Sequence, residues 1–219
     1  ACIILTTVFA SIAGFFMAKY KMHPFISTMA NMLIIFGLVT YATKGVSFGA
    51  IDSSIPSMFI PTFGSFPSII LWAIVAIIVV WFIWNKTTFG KNMFAVGSNP
   101  EAAKVSGVNV MKTTILVHTL AGAMYGLTGF IESSRIGSNT ANTGLNYECD
   151  AIAACVIGGV SFVGGTGKIS GVVLGVFLLR IIFVALNFLS INMNMQYVIK
   201  GLIILVACAI DMRKYLVRK

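Results

Sequence analysis

The stretch Ile69-Ile70-Leu71-Trp72-Ala73-Ile74-Val75-Ala76-Ile77-Ile78-Val79-Val80-Trp81-Phe82-Ile83-Trp84 carries neither a charge nor a hydroxyl along its whole length. A helix crosses the hydrocarbon of a bilayer with roughly 17 to 25 such residues, so this run reads as a transmembrane span. Working outward from it, similar runs extend over Ile3 to Ala18, Phe25 to Thr43, Thr113 to Ile131, Ala151 to Val163, Ile169 to Leu189 and Tyr197 to Ile210. Seven spans follow, the fifth short and interrupted by glycine. The fold class expected is therefore all-α, a polytopic transmembrane helix bundle. Composition agrees: the 219 residues are 58% hydrophobic and only 10% charged, against about 25% charged in an ordinary soluble domain. So few charges could not cover a water-facing surface.

The net charge of +9 is explained by topology, because Lys and Arg collect in loops on the cytoplasmic side. With the Asn85 to Lys112 loop and the tail after Asp211 both inside, Lys19, Lys21, Lys86, Lys91, Lys104, Lys112, Lys168, Arg213, Lys214, Arg218 and Lys219 are cytoplasmic. Only Lys44 and Arg135 then fall in outer loops, near Asp52, Glu148 and Asp150, while Arg180 and Lys200 lie within spans. The C-terminus is expected in the cytoplasm, and no nucleic-acid partner is expected. The chain opens at Ala1, without Met, directly into apolar residues, which reads as part of a longer chain. Cys2, Cys149, Cys155 and Cys208 make no C-x-x-C pair, so neither a disulfide framework nor a metal site is expected.

The segment Lys44 to Pro67 is rich in Pro and Ser yet holds Phe48, Met58, Phe59, Ile60, Phe63 and Phe66. It reads either as a docking surface or lid on the outer face, or as a connector tucked over the helices. The inner loop, residues 85–112, is the longest cytoplasmic segment and encodes a short helix. Asn99 suits an N-cap, Pro100 the first helical position, Glu101 the positive end of the helix dipole and Gly107 the stop. Ala102, Ala103, Lys104, Val105 and Ser106 lie between. About two helical turns are not stable alone in water. This helix must pack on the inner surface of its own chain or on a soluble partner.

Gly122 and Gly126 lie one turn apart in the fourth span, and Gly167, Gly171 and Gly175 recur at the same interval into the sixth. Small residues so spaced let helices approach closely in lipid. Gly158, Gly159, Gly164 and Gly165 break the fifth span. Packing is the first reading of these glycines. Irregular backbone lining a transport pathway is the second.

Several chemistries are not encoded. Gly164-Gly165-Thr166-Gly167-Lys168 fails the phosphate-loop pattern, because Phe162 stands where its first glycine belongs and Ile169 where Ser or Thr should follow the lysine. No H-E-x-x-H or G-x-S-x-G motif occurs, and no catalytic residue is assigned. Ion-coupled carriers place Asp, Glu or His inside spans. Here Glu132 and Asp150 sit at span ends, and His118 reads as a core histidine. Arg180, near the middle of a span, reads either as pairing with a part of the longer chain outside this sequence or as lining a polar path, pairing being the favoured reading. Lys200 can snorkel outward. Thr28, Asn31, His118, Tyr125 and Asn187 are polar groups suited to a solute path, although interhelical hydrogen bonding accounts for each singly.

Three runs carry a family resemblance. Thr88-Phe89-Gly90-Lys91-Asn92-Met93-Phe94-Ala95-Val96-Gly97-Ser98-Asn99-Pro100-Glu101-Ala102-Ala103-Lys104-Val105-Ser106-Gly107-Val108-Asn109 resembles the signature loop of the permease subunits of bacterial sugar ABC importers, of the ribose, xylose and galactose group. Asp150-Ala151-Ile152-Ala153-Ala154-Cys155-Val156-Ile157-Gly158-Gly159-Val160-Ser161-Phe162 with Gly164-Gly165 is similar to their second signature, as is Tyr197-Val198-Ile199-Lys200-Gly201 near the end. Arg135-Ile136-Gly137-Ser138 resembles the galactose and methyl-galactoside branch. Residues 1–219 would then form one permease domain whose N-terminal spans lie outside this sequence.

The resemblance implies a permease dimer, an ATP-binding subunit pair on the cytoplasmic face that carries the ATP, and a periplasmic sugar-binding protein that delivers a monosaccharide. It also implies that the helix at Asn99 to Ser106 is the coupling helix seated in the ATPase. Arg180 and Lys168 depart from the family pattern. An ion-coupled carrier or channel for a small polar solute is the alternative, and it gives the capped inner-loop helix no role.

Overall fold

The computed structural model describes residues 2–47, 62–63 and 66–216. Apolar runs become helices because a chain in lipid must satisfy its backbone hydrogen bonds internally. In order these are α1 (Cys2–Tyr20), α2 (Pro24–Thr43), α3 (Ile69–Lys86), α4 (Thr88–Ser98), α5 (Pro100–Val105), α6 (Val110–Ile136), α7 (Tyr147–Ile157), α8 (Ile169–Phe188) and α9 (Met193–Leu216). A two-residue antiparallel pairing, β1 (Thr62–Phe63) with β2 (Phe66–Pro67), precedes α3. Of the Pro- and Ser-rich segment 44–67, residues 48–61 and 64–65 lie outside the described residues, among them Phe48, Met58, Phe59 and Ile60.

Among the described residues, six helices are long and apolar enough to cross a membrane: α1, α2, α3, α6, α8 and the Met193–Arg213 part of α9. Apart from the two-residue β1–β2 pairing, helices are the regular structure of the described residues, and the fold is the polytopic helix bundle that the hydropathy predicts. The expected fifth span, short and Gly-broken, is not among the six: it resolves into the 11-residue α7 followed by irregular backbone at 158–168. Glu148 and Asp150 in the first turn of α7 carry its start four residues ahead of the expected Ala151, a placement the helix dipole favours. Gly158 and Gly159 end it, Gly159 at φ +82°. Helix α6 is longer than its hydrophobic run because both ends are capped. Asn109 Oδ1 accepts from Lys112 N at 2.9 Å, and Gly137, at φ +77°, closes the far end with its N–H on Ser133 O.

The chain divides into two compact units, Ala1–Met93 with Glu101–Thr143 and Phe94–Pro100 with Gly144–Lys219. In the first, the principal pairing is α1 against α6. Gly122 and Gly126 are buried there. A methyl group on Gly122 would lie 2.6 Å from Ala10 Cβ, and one on Gly126 would lie 2.6 Å from Ile3 Cα. The Ser11 and Thr119 hydroxyls meet at 2.9 Å across the same seam, and Ser27 Oγ ties α2 to Ala13 O at 3.2 Å.

In the second unit α7 lies between α8 and α9. Ala153, Ala154 and Leu179 form its core, flanked by Ile157, Phe183, Ile203 and Ile204. Gly158 faces Gly171 backbone to backbone, and a methyl on Gly175 would strike Ala154 O. Dispersion between closely approaching backbones is the main adhesive available to helices in lipid.

Candidate functional site

The loop of residues 85–112 is more structured than its sequence suggests, because α4 precedes the short helix. Thr87 ends α3 in an extended conformation (φ −109°, ψ 155°) and at once caps α4, its hydroxyl accepting from Gly90 N at 3.1 Å. Gly90 is buried hard against the last turn of α3, where a side chain would meet Ile83 O and Trp84 O.

Helix α5 covers Pro100–Val105, one residue shorter at each end than the expected helix, and its C-terminus is closed by a Schellman turn. Gly107 sits at φ +83°. Its N–H bonds Lys104 O and that of Val108 bonds Ala103 O, both at 3.0 Å. The Ser106 hydroxyl also bonds Ala102 O at 3.0 Å. Ala103 is buried, whereas Val105 is 90% exposed and Asn99, Pro100, Glu101, Ala102, Lys104, Ser106 and Gly107 are also exposed. Lys21, in the turn after α1, reaches Glu101 Oε1 at 3.2 Å. The chain therefore presents a short, two-ended helix whose outward side is largely uncovered by its own residues.

The backbone that leads into α5 rests on the glycine-rich segment 158–168. A methyl on Gly97 would lie 2.8 Å from Gly165 N, one on Gly164 2.7 Å from Gly97 O, and one on Gly165 2.7 Å from Ser98 Cα. Gly164 and Gly165 have φ of +106° and +73°, a region open mainly to glycine. The loop folds on itself: Ser161 N donates to Thr166 O at 3.1 Å and Gly164 N to Ser161 O at 3.3 Å. Asp211 of α9, 9% exposed, anchors it. Asp211 Oδ2 accepts from Phe162 N at 2.9 Å and from Ser161 Oγ at 3.2 Å. Sequence reading did not single out this carboxylate, because its partners lie some fifty residues away.

Lys200 pairs with Asp150 at 2.5 Å and lies over the Phe183 and Tyr197 rings at 5.0 and 5.6 Å. This corrects the snorkelling reading: the lysine turns inward because an acid at the start of α7 is within reach. Arg180 is exposed on α8 and has no ion pair or hydrogen bond among the described residues. Lys168, also exposed, immediately precedes α8 and makes no side-chain cap there.

The five polar path candidates are spread over both units. Thr28 bonds the carbonyls of Pro24 and Phe25 in its own helix. His118 packs against Gly14 with Nδ1 at 3.0 Å from Thr114 O. Asn31 is half-buried and Tyr125 exposed, both in the first unit. Asn187, in the second, accepts from Gln196 Nε2 at 2.9 Å. Of the remaining glycines, Gly159 has open space around it and Gly167 abuts the Val160 side chain. The four cysteines are free thiols, and no cluster of three metal-ligating side chains exists among the described residues.

Residues 1–208 match the model of the family described as branched-chain amino acid transport system / permease component. The chain belongs to this permease family. Among its members, the galactose/methyl galactoside import permease protein MglC of Escherichia coli is 46% identical over 216 residues, 95% of this chain and 64% of that protein. The protein of the same name from Treponema pallidum is 46% identical over 96% of this chain and 41% of its own length. The ribose import permease protein RbsC of Escherichia coli is 31% identical over 98% of this chain and 68% of its own. The chain thus spans 41% and 64% of the two galactoside permeases named. No solved structure matches it.

Proposed function

We propose that this permease is the membrane-spanning subunit of an ATP-driven importer that moves a monosaccharide, galactose or a methyl-galactoside, across the bacterial inner membrane by alternating access. The observation that carries this reading is the 46–47% identity, over nearly all of the chain, to proteins named galactose/methyl galactoside import permeases. Residues 1–219 act as one permease domain, with residues 85–112 and the C-terminus on the cytoplasmic side. ATP is bound and hydrolysed by a separate subunit, a periplasmic sugar-binding protein delivers the cargo, and two permease copies enclose the path.

Asn99 to Gly107 is the contact to the ATPase. Its exposed face supports this, as does the physical argument that six residues do not hold a helix in isolation. ATP-driven closure of the partner moves α5, and the helix passes the movement to its flanking segments. Such coupling requires contacts that differ between the inward- and outward-open states. Thr28, Asn31, His118, Tyr125 and Asn187 offer hydrogen bonds to sugar hydroxyls. They need bind only weakly if the binding protein supplies the affinity.

The test is galactose uptake into vesicles holding the full-length permease, its ATPase and its binding protein. Uptake that requires all three and ATP is the expected result. Uptake that continues without ATP and collapses with an ion gradient overturns the proposal in favour of a secondary carrier.

A further inference from the structure

We propose that Asp211 is a positioning residue for the coupling segment: it holds the 161–167 loop in the shape on which Gly97 and Ser98 rest, and so fixes the base from which α5 departs. The inference rests on the coupling role proposed for α5. It extends that role to a residue on the last helix, more than a hundred positions away in sequence.

Three observations converge. The contact between Gly97-Ser98 and Gly164-Gly165 is backbone against backbone, with methyl groups excluded from both sides. The one side chain at the contact is the short Ser98 hydroxyl beside Gly165, which leaves little slack to absorb a displacement. The loop's own hydrogen bonds, Ser161 N to Thr166 O and Val163 N to Ser161 Oγ at 3.2 Å, fix its shape but not its place. Asp211 Oδ2 ties it to α9 by taking both the Phe162 N–H and the Ser161 hydroxyl. Finally, a carboxylate 9% exposed near the end of a membrane helix is costly unless its hydrogen bonds are made. Its two bonds to the loop, from Phe162 N and Ser161 Oγ, meet that requirement.

If the carboxylate is the anchor, removing it loosens the loop and the Gly97–Pro100 base while leaving α5 itself and its outward residues intact. The ATPase would still dock and turn over, but its movement would be dissipated.

The experiment uses the full-length permease assembled with its ATPase and binding protein. In Asp211→Asn, Ser161→Ala and Gly165→Ala, sugar uptake per ATP hydrolysed is compared with the unmodified complex, and hydrogen exchange is followed at residues 95–100 and 158–168. Asp211→Asn is expected to lower uptake per ATP by about tenfold, the scale of one charge-assisted hydrogen bond, with faster exchange in both segments. Ser161→Ala, which leaves the Phe162 N–H in place, should give a smaller loss. Gly165→Ala attacks the same contact from the other side, so combining it with Asp211→Asn should add little.

Normal uptake per ATP in Asp211→Asn overturns the inference, and so does exchange at 95–100 that stays at the unmodified level while 158–168 loosens. If Asp211→Asn does not assemble, Ser161→Ala and Gly165→Ala decide by the same criteria. Should the unmodified complex show no ATP-dependent uptake, it is the coupling role that fails. The exchange data then decide the anchoring by themselves.

Discussion

The Lys21 ammonium, in the turn after α1, meets the Glu101 carboxylate of α5 at 3.2 Å across eighty residues of sequence. Both side chains are largely exposed, 84% and 73%. A pair so open to water contributes little to stability, because its Coulomb energy is screened and holding two long side chains costs entropy. Its value lies in where it holds Glu101.

The first prediction follows. Glu101→Lys places a cation in the first turn of α5, where the dipole disfavours it, and beside Lys21. ATP-driven uptake should be abolished while the amount of inserted protein stays normal. Restoring the pair in reverse, as Lys21→Glu with Glu101→Lys, should not recover uptake, since the dipole and the partner surface still meet the wrong charge. Pro100→Gly, which loosens the helix start, should likewise abolish uptake. Immunoblotting of membranes alongside sugar uptake separates the two effects.

Gly107 supplies a second. Nothing lies within 4 Å of a methyl group added there, so the cost of Gly107→Ala is conformational alone. A non-glycine residue at φ +83° costs about 1–2 kcal/mol. Gly107→Asn should cost less, since Asn tolerates the left-handed region. Protease cleavage between residues 99 and 109 in membrane vesicles should rise in the order wild type, Asn, Ala.

A third concerns the glycine seams. Gly175→Ala drives a methyl into Ala154 O, and Gly122→Ala drives one into Ala10 Cβ. Each should destabilise by about 1–3 kcal/mol, the usual cost of overpacking. Gly129→Ala and Gly201→Ala, with open space around them, should be neutral or stabilising by up to about 1 kcal/mol from the gain in helix propensity. Denaturant titration in mixed micelles distinguishes the two classes.

What was legible in the sequence was what depends on neighbours along the chain. The apolar run of α3 announces a span by itself, and the Pro100, Glu101 and Gly107 pattern announces α5 and its stop. Helix α4 escaped notice because Gly90, Lys91, Asn92 and Gly97 look like loop residues. Gly90 is required by the tight turn from α3, and Gly97 by the loop it rests on. Asp211, Lys21 and the Asp150–Lys200 pair stayed hidden for one reason: their roles are created by contacts fifty to eighty residues away. Composition along the chain carries no signal for such contacts. For the same reason, residue type alone does not reveal that Thr28 also bonds its own helix and Asn187 also bonds Gln196.

The Asp150–Lys200 pair yields the last prediction. Its side chains are 31% and 16% exposed, so it is far drier than the Lys21–Glu101 pair, and the ammonium also rests on two aromatic faces. Removing one partner of a well-buried pair costs about 3–5 kcal/mol, because the other charge is left without compensation. The partial exposure here lowers that to about 1–3 kcal/mol for Asp150→Asn or Lys200→Met. Removing both charges at once should recover most of the loss, since no lone charge then remains in the α7–α9 contact. The charge-swapped Asp150→Lys with Lys200→Asp should recover less. It sets a cation in the first turn of α7, where the dipole opposes it, and gives up the ammonium's place over Phe183 and Tyr197. Denaturant titrations of the two single variants, the double neutral variant and the swap give the coupling energy directly. A coupling near zero would mean that the pair is screened as fully as the exposed one.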